Sequence, residues 1–477
     1  MKDDAQIIIA RRQLAVQYAA RRPPRHPSFQ WPSPPSLLLA IQPYLESDLF
    51  LPDNGISTAP AEYQRIFLKA LIDRLSVAVA EHDGDDDGEF EVDERLLERY
   101  TTLLTSSSPS SASQGLTAGP PPPSTIQYFY PRRPTIESEP QHELHGGSPL
   151  PLLLTDLNSI LLHKAGAMIS RGTTGLRTWE ASLTLASYLL GSATSNPAHR
   201  ETSLWHTIVR PGARVLELGS GVGMLGVLCA QLQEDYHTRQ QKRGNQSSEG
   251  KGGGGGVAAT PAEVYMTDVP GQVLEALSET VEQNNLASSA HVHIAPLDWV
   301  ELSSQHGTAG KEETDSGRLL EDTSAGTRTW LHSLAPTTVL AADVVFDPSL
   351  CGPLADTIRC ALEAGISQRE QADRVGDGDG SKALEPTAYV ASTIRNPATY
   401  DVFLQALRKQ HLHFDRIKLN AGRTSIPLLP FNPSTSHPTL PAAMPVPVFP
   451  SSHDPLRDGV VELLQIRLLP QRTIAME

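Results

Sequence analysis

The chain has 477 residues, and its 54 acidic against 39 basic residues give a net charge of -15. This balance, without a basic cluster, excludes nucleic acid as the main partner. No apolar run approaches the roughly 20 residues of a membrane span, which predicts a soluble protein with no membrane partner. The three cysteines, Cys229, Cys351 and Cys360, have neither disulfide nor metal spacing. They favour a reducing, cytoplasmic location and no metal site.

The N-terminal region predicts a small helical domain over residues 1–104. Asp93 is placed to cap the last of its three helices, because aspartate favours the N-cap position. The acidic run before Asp93 has no calcium-loop spacing and is expected to be a solvated loop. The helical patterns lie at about 4–22, 60–82 and 93–104.

From residue 151 the pattern changes to short apolar runs that alternate with helical ones. This alternation is typical of a parallel sheet covered by helices, so an α/β domain is expected over 151–477. The last two strands are joined by a proline-rich segment without a crossover helix, which favours an antiparallel pair. The seven predicted strands are 213–218, 263–268, 291–295, 338–345, 387–392, 414–419 and 459–469.

Biased composition marks the segments between the packed parts. Residues 105–150 are rich in Ser, Pro and Gly and are expected to form a linker between the two domains. The α/β domain is interrupted by further segments of this kind, which predict disordered insertions rather than additional elements. These insertions lie near 236–260, 303–328, 368–384 and 421–456.

The sequence RVLELGSGVGMLG, residues 214–226, combines a strand that ends near Glu217 with a glycine-rich turn. Glycines let the backbone approach a ligand, and the following helix offers unpaired N–H groups, so the turn predicts a nucleotide-type site. The acidic residue that should follow by about 20 positions is Asp268, but it stands 45 residues after Gly223. The insertion at 236–260 accounts for the difference.

Six segments in a specific order resemble the motifs of S-adenosylmethionine-dependent lysine methyltransferases with seven-stranded sheets. The similarity is greatest to the eukaryotic elongation factor 2 lysine methyltransferases, and it covers about 165–420 without the insertions. The segments are GTTGLRTWEASLTLASYLL (172–190), ELGSGVGMLG (217–226), TD (267–268), LDW (297–299), ADVVFD (342–347) and STIRNPATY (392–400).

The resemblance implies an α/β fold in which a seven-stranded Rossmann-like methyltransferase sheet, with its last two strands as an antiparallel hairpin, follows a small helical N-terminal domain. It implies S-adenosyl-L-methionine as the cofactor and a monomeric protein-lysine N-methyltransferase. The implied partner is a protein substrate, with elongation factor 2 suspected.

The resemblance also implies roles for single residues in cofactor binding. Asp268 would bind the ribose hydroxyls, and Glu217 would hold the amino group directly or through water. The alternative role of Asp268 is the N-cap of the following helix, which is compatible with ribose binding, and Trp179 alternatively packs against the sheet. A buried, unpaired Glu217 would be costly, which favours a ligand role for it. The implied cofactor-binding set is Trp179, Glu217, Gly219, Ser220, Gly221, Gly223, Asp268, Trp299 and Ala342.

The segment ADVVFD places Asp343 and Phe346 at the carboxyl end of the fourth predicted strand, beside the expected crevice. We expect Asp343 to orient the incoming lysine and Phe346 to form an aromatic wall near the cationic groups. The alternatives are a strand-end cap for Asp343 and a core position for Phe346. Because phenylalanine has no hydroxyl, proton removal is left to water or to the backbone.

Three other functions share parts of this pattern. A nicotinamide-dependent dehydrogenase is disfavoured by the proline-rich link and by the matches at Trp179 and Trp299. A small-molecule methyltransferase would close a lid over its pocket, whereas a protein substrate needs an open surface beside Phe346. A non-catalytic adaptor with this fold would not bind the cofactor, yet the glycines and Asp268 are present.

Overall fold

The computed structural model divides the chain into two compact units, residues 1–170 with 425–452 and residues 171–424 with 453–477. Each unit is described by itself below. The residues that the structure describes are 2–51, 54–82, 91–106, 124–132, 154, 157–164, 178–192, 203–248, 260–303, 317–375, 384–419, 449–451 and 453–469.

The described residues of the first unit form four helices, of which three were expected. The helix that the sequence did not predict carries prolines at its start and at Pro43, and these hide its apolar pattern. Burial of its apolar face, including Ile41 and Leu45, overrides the proline. Asp93 caps the last helix as expected, since its carboxylate accepts from the Arg95 N–H at 3.0 Å. The helices are α1 (Lys2–Ala19), α2 (Pro35–Leu49), α3 (Ala61–His82) and α4 (Glu94–Thr105).

An antiparallel hairpin of β1 (Ser124–Pro131) and β2 (Leu157–Lys164) also belongs to the first unit. Its first strand lies in the expected linker, and its second lies beyond residue 150, where the second domain was expected to begin. The strand STIQYFYP is rich in β-branched and aromatic residues, and residues 126–130 are all buried. The unit boundary therefore falls later in the chain than composition alone predicts.

The second unit is built on a seven-stranded sheet, which confirms the expected α/β fold. The strand order is β5-β4-β3-β6-β7-β9-β8. Strands β3 to β7 are parallel, whereas β9 is antiparallel to both β7 and β8, as the proline-rich link predicted. The strands are β3 (Arg214–Leu218), β4 (Glu263–Asp268), β5 (Val292–Pro296), β6 (Thr338–Ala342), β7 (Thr387–Ile394), β8 (Leu412–Ile417) and β9 (Val460–Leu468).

Three helices of the second unit extend into segments that were expected to be insertions. Helix α7 continues to Ser248, α10 begins at Gly317 and α11 continues to Val375. Their Gln, Glu, Arg and Ala residues favour helix despite the biased composition, and the rest of each segment lies outside the described residues. The helices are α5 (Glu180–Gly191), α6 (Leu204–Val209), α7 (Met224–Ser248), α8 (Gln272–Gln283), α9 (Trp299–Ser303), α10 (Gly317–Leu334), α11 (Pro348–Val375), α12 (Pro397–Lys409) and α13 (Pro455–Asp458).

The strand order fixes where a ligand can bind. Strand β3 is the third of the seven strands, between β4 and β6, and the chain proceeds from it to β4 and β5 on one side and then to β6 and β7 on the other. In an open parallel sheet, the crevice at such a switch point lies at the carboxyl ends of the strands. The site is therefore expected next to the ends of β3, β4 and β6.

Candidate active site

A cavity occupies this crevice. Its wall includes Gly219 after β3, Asp268 at the end of β4 and Ala342 at the end of β6. The N-terminal part of α5 adds Trp179, and the segment after β5 adds Trp299. Ten of the eleven residues that were proposed from the sequence for cofactor binding or catalysis line this cavity, and the exception is Gly223.

The glycine turn after β3 needs its glycines for two reasons. Gly219, Gly221 and Gly223 all have positive φ values, between 54° and 87°, a region that side chains disfavour. A Cβ on Gly219 would also lie 2.8 Å from Cγ1 of Val344. Gly223 instead faces the helix that follows β4, because a Cβ there would lie 2.6 Å from Cδ1 of Leu277. Gly223 therefore packs the turn rather than lining the cavity.

Asp268 and Ser220 hold the turn against β4. One carboxylate oxygen of Asp268 accepts from the Gly221 N–H and the other from the Val269 N–H, both at 2.8 Å. The Ser220 hydroxyl accepts from the Thr267 N–H at 3.0 Å. Because a carboxylate can accept about four hydrogen bonds, Asp268 keeps capacity for hydroxyl donors of a ligand. Burial raises its pKa above the ordinary value, although both backbone bonds oppose this.

Glu217 is the most deeply buried acid of the cavity, with 3% of its surface exposed. Burial raises its pKa to about 8, while the Ser220 hydroxyl and the Gly226 N–H lower it. The Gly226 N–H, in the first turn of α7, donates to Oε2 of Glu217 at 3.0 Å. Glu217 is thus largely protonated at neutral pH, and a cationic ligand group at this position would favour the ionised form.

This raised pKa predicts a pH dependence of stability. The pKa of Glu217 is about 8 in the folded state, and the ordinary value is 4.5. At pH values between these two, the folded state therefore binds one more proton than the unfolded state. Stability must then fall as pH rises through this window, by up to about 1.4 kcal/mol per pH unit. Glu217→Gln keeps the shape and an acceptor for Gly226 but removes the titration.

Urea unfolding of both proteins between pH 5.5 and 7.5, without added ligand, measures this effect. The unfolding free energy of the variant should increase relative to the wild type by about 1 kcal/mol per pH unit. A difference that is independent of pH would show that Glu217 keeps an ordinary pKa in the fold.

Two tryptophans stand at the cavity wall. Ring atoms of Trp299 lie 3.4 and 3.5 Å from the position of a Cβ on Gly219, so its indole packs against the turn. The Trp299 Nε1–H is buried and has no hydrogen-bond partner, which a polar ligand atom would relieve. Trp179 is the N-cap residue of α5, and the Arg395 guanidinium lies 4.9 Å above its ring centroid.

Asp343 follows β6 in the left-handed region, with φ of 54°, which aspartate tolerates better than most residues. Its carboxylate, 3% exposed, accepts from the Thr393 N–H at 2.8 Å and the Thr393 hydroxyl at 3.0 Å. It also accepts from the Ala181 N–H at 3.3 Å and pairs with Arg395 at 3.4 Å. Asp343 therefore joins β6, β7 and the start of α5 at one side of the cavity.

Phe346 lines the cavity, and 57% of it is exposed. The alternative core position for Phe346 does not agree with this exposure. Asp347, one residue on, accepts from the Ser349 N–H and hydroxyl at the start of α11. Asn396 likewise accepts from the Ala398 N–H and caps α12. Asp347 and Asn396 thus cap the N-termini of two helices, whereas the exposed Phe346 ring lines the cavity.

Several wall residues were not proposed from the sequence. Most of them adjoin a proposed residue in the chain, such as Thr178 beside Trp179 and Asp298 beside Trp299. Their neighbours in the motifs were the available signal. Leu350 carries no such signal, because an apolar residue at a helix start is typical of a core position. In the described part of the chain, no group of three or more metal-ligating side chains occurs and no helix could cross a membrane.

Known proteins are similar to this sequence. Residues 168–312 match the lysine methyltransferase family. The protein-lysine N-methyltransferase EFM3 of Chaetomium thermophilum is 26% identical over 371 residues, which cover 77% of this chain and 78% of that protein. The protein-lysine N-methyltransferase EEF2KMT of Homo sapiens is 27% identical over 263 residues, 55% of this chain and 58% of that protein.

Among solved structures, the chain is similar to TrmN from Thermus thermophilus, with 13% identity and a TM-score of 0.25 over 60% of this chain and 52% of that one. The sequence matches confirm the family resemblance that the motifs indicated, and with it the enzyme class. Residues 168–312 thus resemble a lysine methyltransferase domain, and the chain has relatives named protein-lysine N-methyltransferases.

Proposed function

We propose that this protein uses S-adenosylmethionine to methylate a lysine of translation elongation factor 2. The observation that carries the proposal is the convergence of Glu217, Gly219, Asp268 and Trp299 on one cavity at the switch point of the sheet. The motifs between residues 172 and 400 resemble those of the elongation factor 2 lysine methyltransferases. The name of the human relative, EEF2KMT, supports the same acceptor.

The chemistry of the cavity wall suits S-adenosylmethionine. Asp268 offers acceptor capacity for the ribose hydroxyls, and Glu217 offers a carboxylate for the amino group. Gly219 has no side chain and so leaves open the space that a Cβ would fill. The Nε1–H of Trp299, which has no hydrogen-bond partner, offers a donor. The bound group supplies a methyl carbon made electrophilic by its sulfonium sulfur.

The residues on the acceptor side position the amine. A lysine must present its nitrogen without the proton, and alignment with the methyl carbon lowers the barrier by several kcal/mol. Phe346 and Trp179 provide aromatic walls, and Ala342, at the end of β6, adds a small side chain to the same cavity. The carboxylate of Asp343 already accepts four hydrogen bonds within the chain. It therefore orients the acceptor mainly through the groups that it holds.

Exposure of Phe346 favours a protein over a small-molecule substrate. A small acceptor is usually enclosed on most sides, whereas 57% of this ring is exposed. A lysine side chain can reach such a wall from a surface segment of another protein. This distinguishes the proposal from the small-molecule methyltransferase that shares the fold.

The direct test uses labelled S-adenosylmethionine and purified, unmodified elongation factor 2. We expect label on one lysine of the factor, located by mass spectrometry, and no label when Asp268→Ala replaces the wild type. Asp415→Asn, at an exposed ion pair with Arg467 on the far strands, serves as a control that retains activity.

Two results would contradict the proposal at different levels. Label on another protein, but not on elongation factor 2, would mean that the substrate is a different protein, while the proposed enzyme class would stand. Failure to bind S-adenosylmethionine at all would remove the function itself.

A further inference from the structure

Arg395 lies between two groups of the cavity wall. Its guanidinium pairs with the Asp343 carboxylate at 3.4 Å and lies over the Trp179 ring, 4.9 Å from the centroid. Asp343 comes from the end of β6 and Trp179 from the start of α5, whereas Arg395 follows β7. One cation thus joins three elements at the acceptor side of the cavity.

The backbone fixes where Arg395 starts. It occupies a two-residue connection, since β7 ends at Ile394 and Asn396 already caps α12. The Arg395 N–H donates to the carbonyl of Thr393 at 2.9 Å. A Cβ on Gly459, before β9, would clash with the Ile394 carbonyl, so no side chain fits there. The arginine is therefore directed from a rigid turn and not from a long loop.

The charges at this position matter for an amine acceptor. The Asp343 side chain is only 3% exposed, so solvent screens its charge weakly. An uncompensated carboxylate nearby would favour the ammonium form of a lysine, which cannot attack a methyl carbon. Arg395 supplies the compensating positive charge, although 45% of its side chain is exposed.

We propose that Arg395 is a positioning residue of the acceptor site, which neutralises Asp343 and holds the Trp179 indole in place. The acceptor amine then meets a neutral aromatic pocket that does not retain its proton. The kinetic part of this inference rests on the proposed function, whereas the contact between Arg395 and Trp179 does not.

The planar guanidinium performs two tasks that substitutions can separate. Lysine at position 395 would keep the positive charge beside Asp343, but it cannot stack on an indole as a guanidinium does. Glutamine would remove the charge and leave the carboxylate uncompensated. Arg395→Lys therefore removes only the stacking, whereas Arg395→Gln removes both the stacking and the charge, and the difference between the two variants reports the charge.

The first readout needs no methyl transfer. The chain has five tryptophans, so the signal of Trp179 is the difference between each protein and its Trp179→Phe version. Acrylamide should quench this difference signal more strongly in both Arg395 variants than in the wild type, measured without S-adenosylmethionine. Unchanged quenching in Arg395→Gln would contradict the stacking role.

The second readout is the steady-state kinetics with the acceptor protein. Arg395→Gln should lower kcat about tenfold, as expected for a rise of one unit in the pKa of the bound amine, without raising the KM for the acceptor. Arg395→Lys should restore kcat to within about threefold of the wild type, because it restores the charge.

A matched control is Arg416→Gln, which removes an exposed arginine paired with Glu462 at 2.9 Å on the edge strand β8. It should change neither readout. An unchanged kcat in Arg395→Gln would overturn the inference. A lower kcat together with a raised KM for the acceptor, which Arg395→Lys does not restore, would overturn it as well. If the wild type methylates no acceptor, the proposed function fails, and quenching still decides whether Arg395 holds Trp179.

Discussion

Replacing Asp343 by asparagine is expected to lower the free energy of unfolding by about 3 kcal/mol and to reduce methyl transfer more than about 100-fold. The carboxylate accepts from the N–H and hydroxyl of Thr393, from the Ala181 N–H and from Arg395. An asparagine offers one oxygen acceptor, and its NH2 group would face donors. At least one buried donor would then lose its partner.

Backbone strain does not contribute to this effect. Asp343 has a φ of 54°, and asparagine tolerates the left-handed region as well as aspartate does. The loss in Asp343→Asn would therefore arise from the hydrogen bonds and the charge. Asp343→Ala would add backbone strain and is the less informative change.

Urea unfolding and a single-turnover methylation assay measure the two effects of Asp343→Asn. Asp415→Asn makes the same chemical change at an exposed ion pair with Arg467 and should shift stability by less than about 0.5 kcal/mol. Wild-type stability in Asp343→Asn would show that its four contacts contribute little, and wild-type turnover would remove Asp343 from the acceptor site.

The elements that sequence could predict are those with local signals. The seven strands of the sheet have short apolar runs, and the turn after β3 has glycines whose positive φ values only glycine adopts readily. The position of Asp268 opposite this turn was also predictable, because an acidic residue at the end of the next strand is part of the pattern. Each of these features depends on a few neighbouring residues.

The features that sequence could not predict depend on distant contacts. Helix α2 contains Pro43, and only burial against the other helices of its unit explains its stability. The partners of Asp343 come from Ala181, 162 positions away, and Thr393, 50 positions away. The alternative of a strand-end cap anticipated an occupied carboxylate, but the local pattern did not identify these distant partners. The direct contact between Asp343 and the acceptor lysine thus remains a prediction, and this carboxylate already accepts four hydrogen bonds within the chain.

Removing the Asp268 carboxylate should weaken S-adenosylmethionine binding about 100-fold, which corresponds to about 2.7 kcal/mol. Hydrogen bonds to a charged acceptor contribute more than neutral ones, and two ribose hydroxyls would share this carboxylate. Asp268→Ala also leaves the N–H groups of Gly221 and Val269 without their acceptor. A smaller loss of stability, about 1 kcal/mol, should accompany the change. Titration calorimetry measures the affinity.

Asp347→Ala is the matched control for this prediction, because Asp347 also accepts from a backbone N–H, that of Ser349. It should keep the wild-type affinity. The raised pKa of Asp268 adds a second test: the carboxylate is protonated at a higher pH than usual, so wild-type affinity should fall as the pH is lowered from neutral. In Asp268→Ala, the decrease in affinity that arises from protonation of Asp268 should be absent. Affinity within twofold of the wild type would mean that Asp268 only braces the turn.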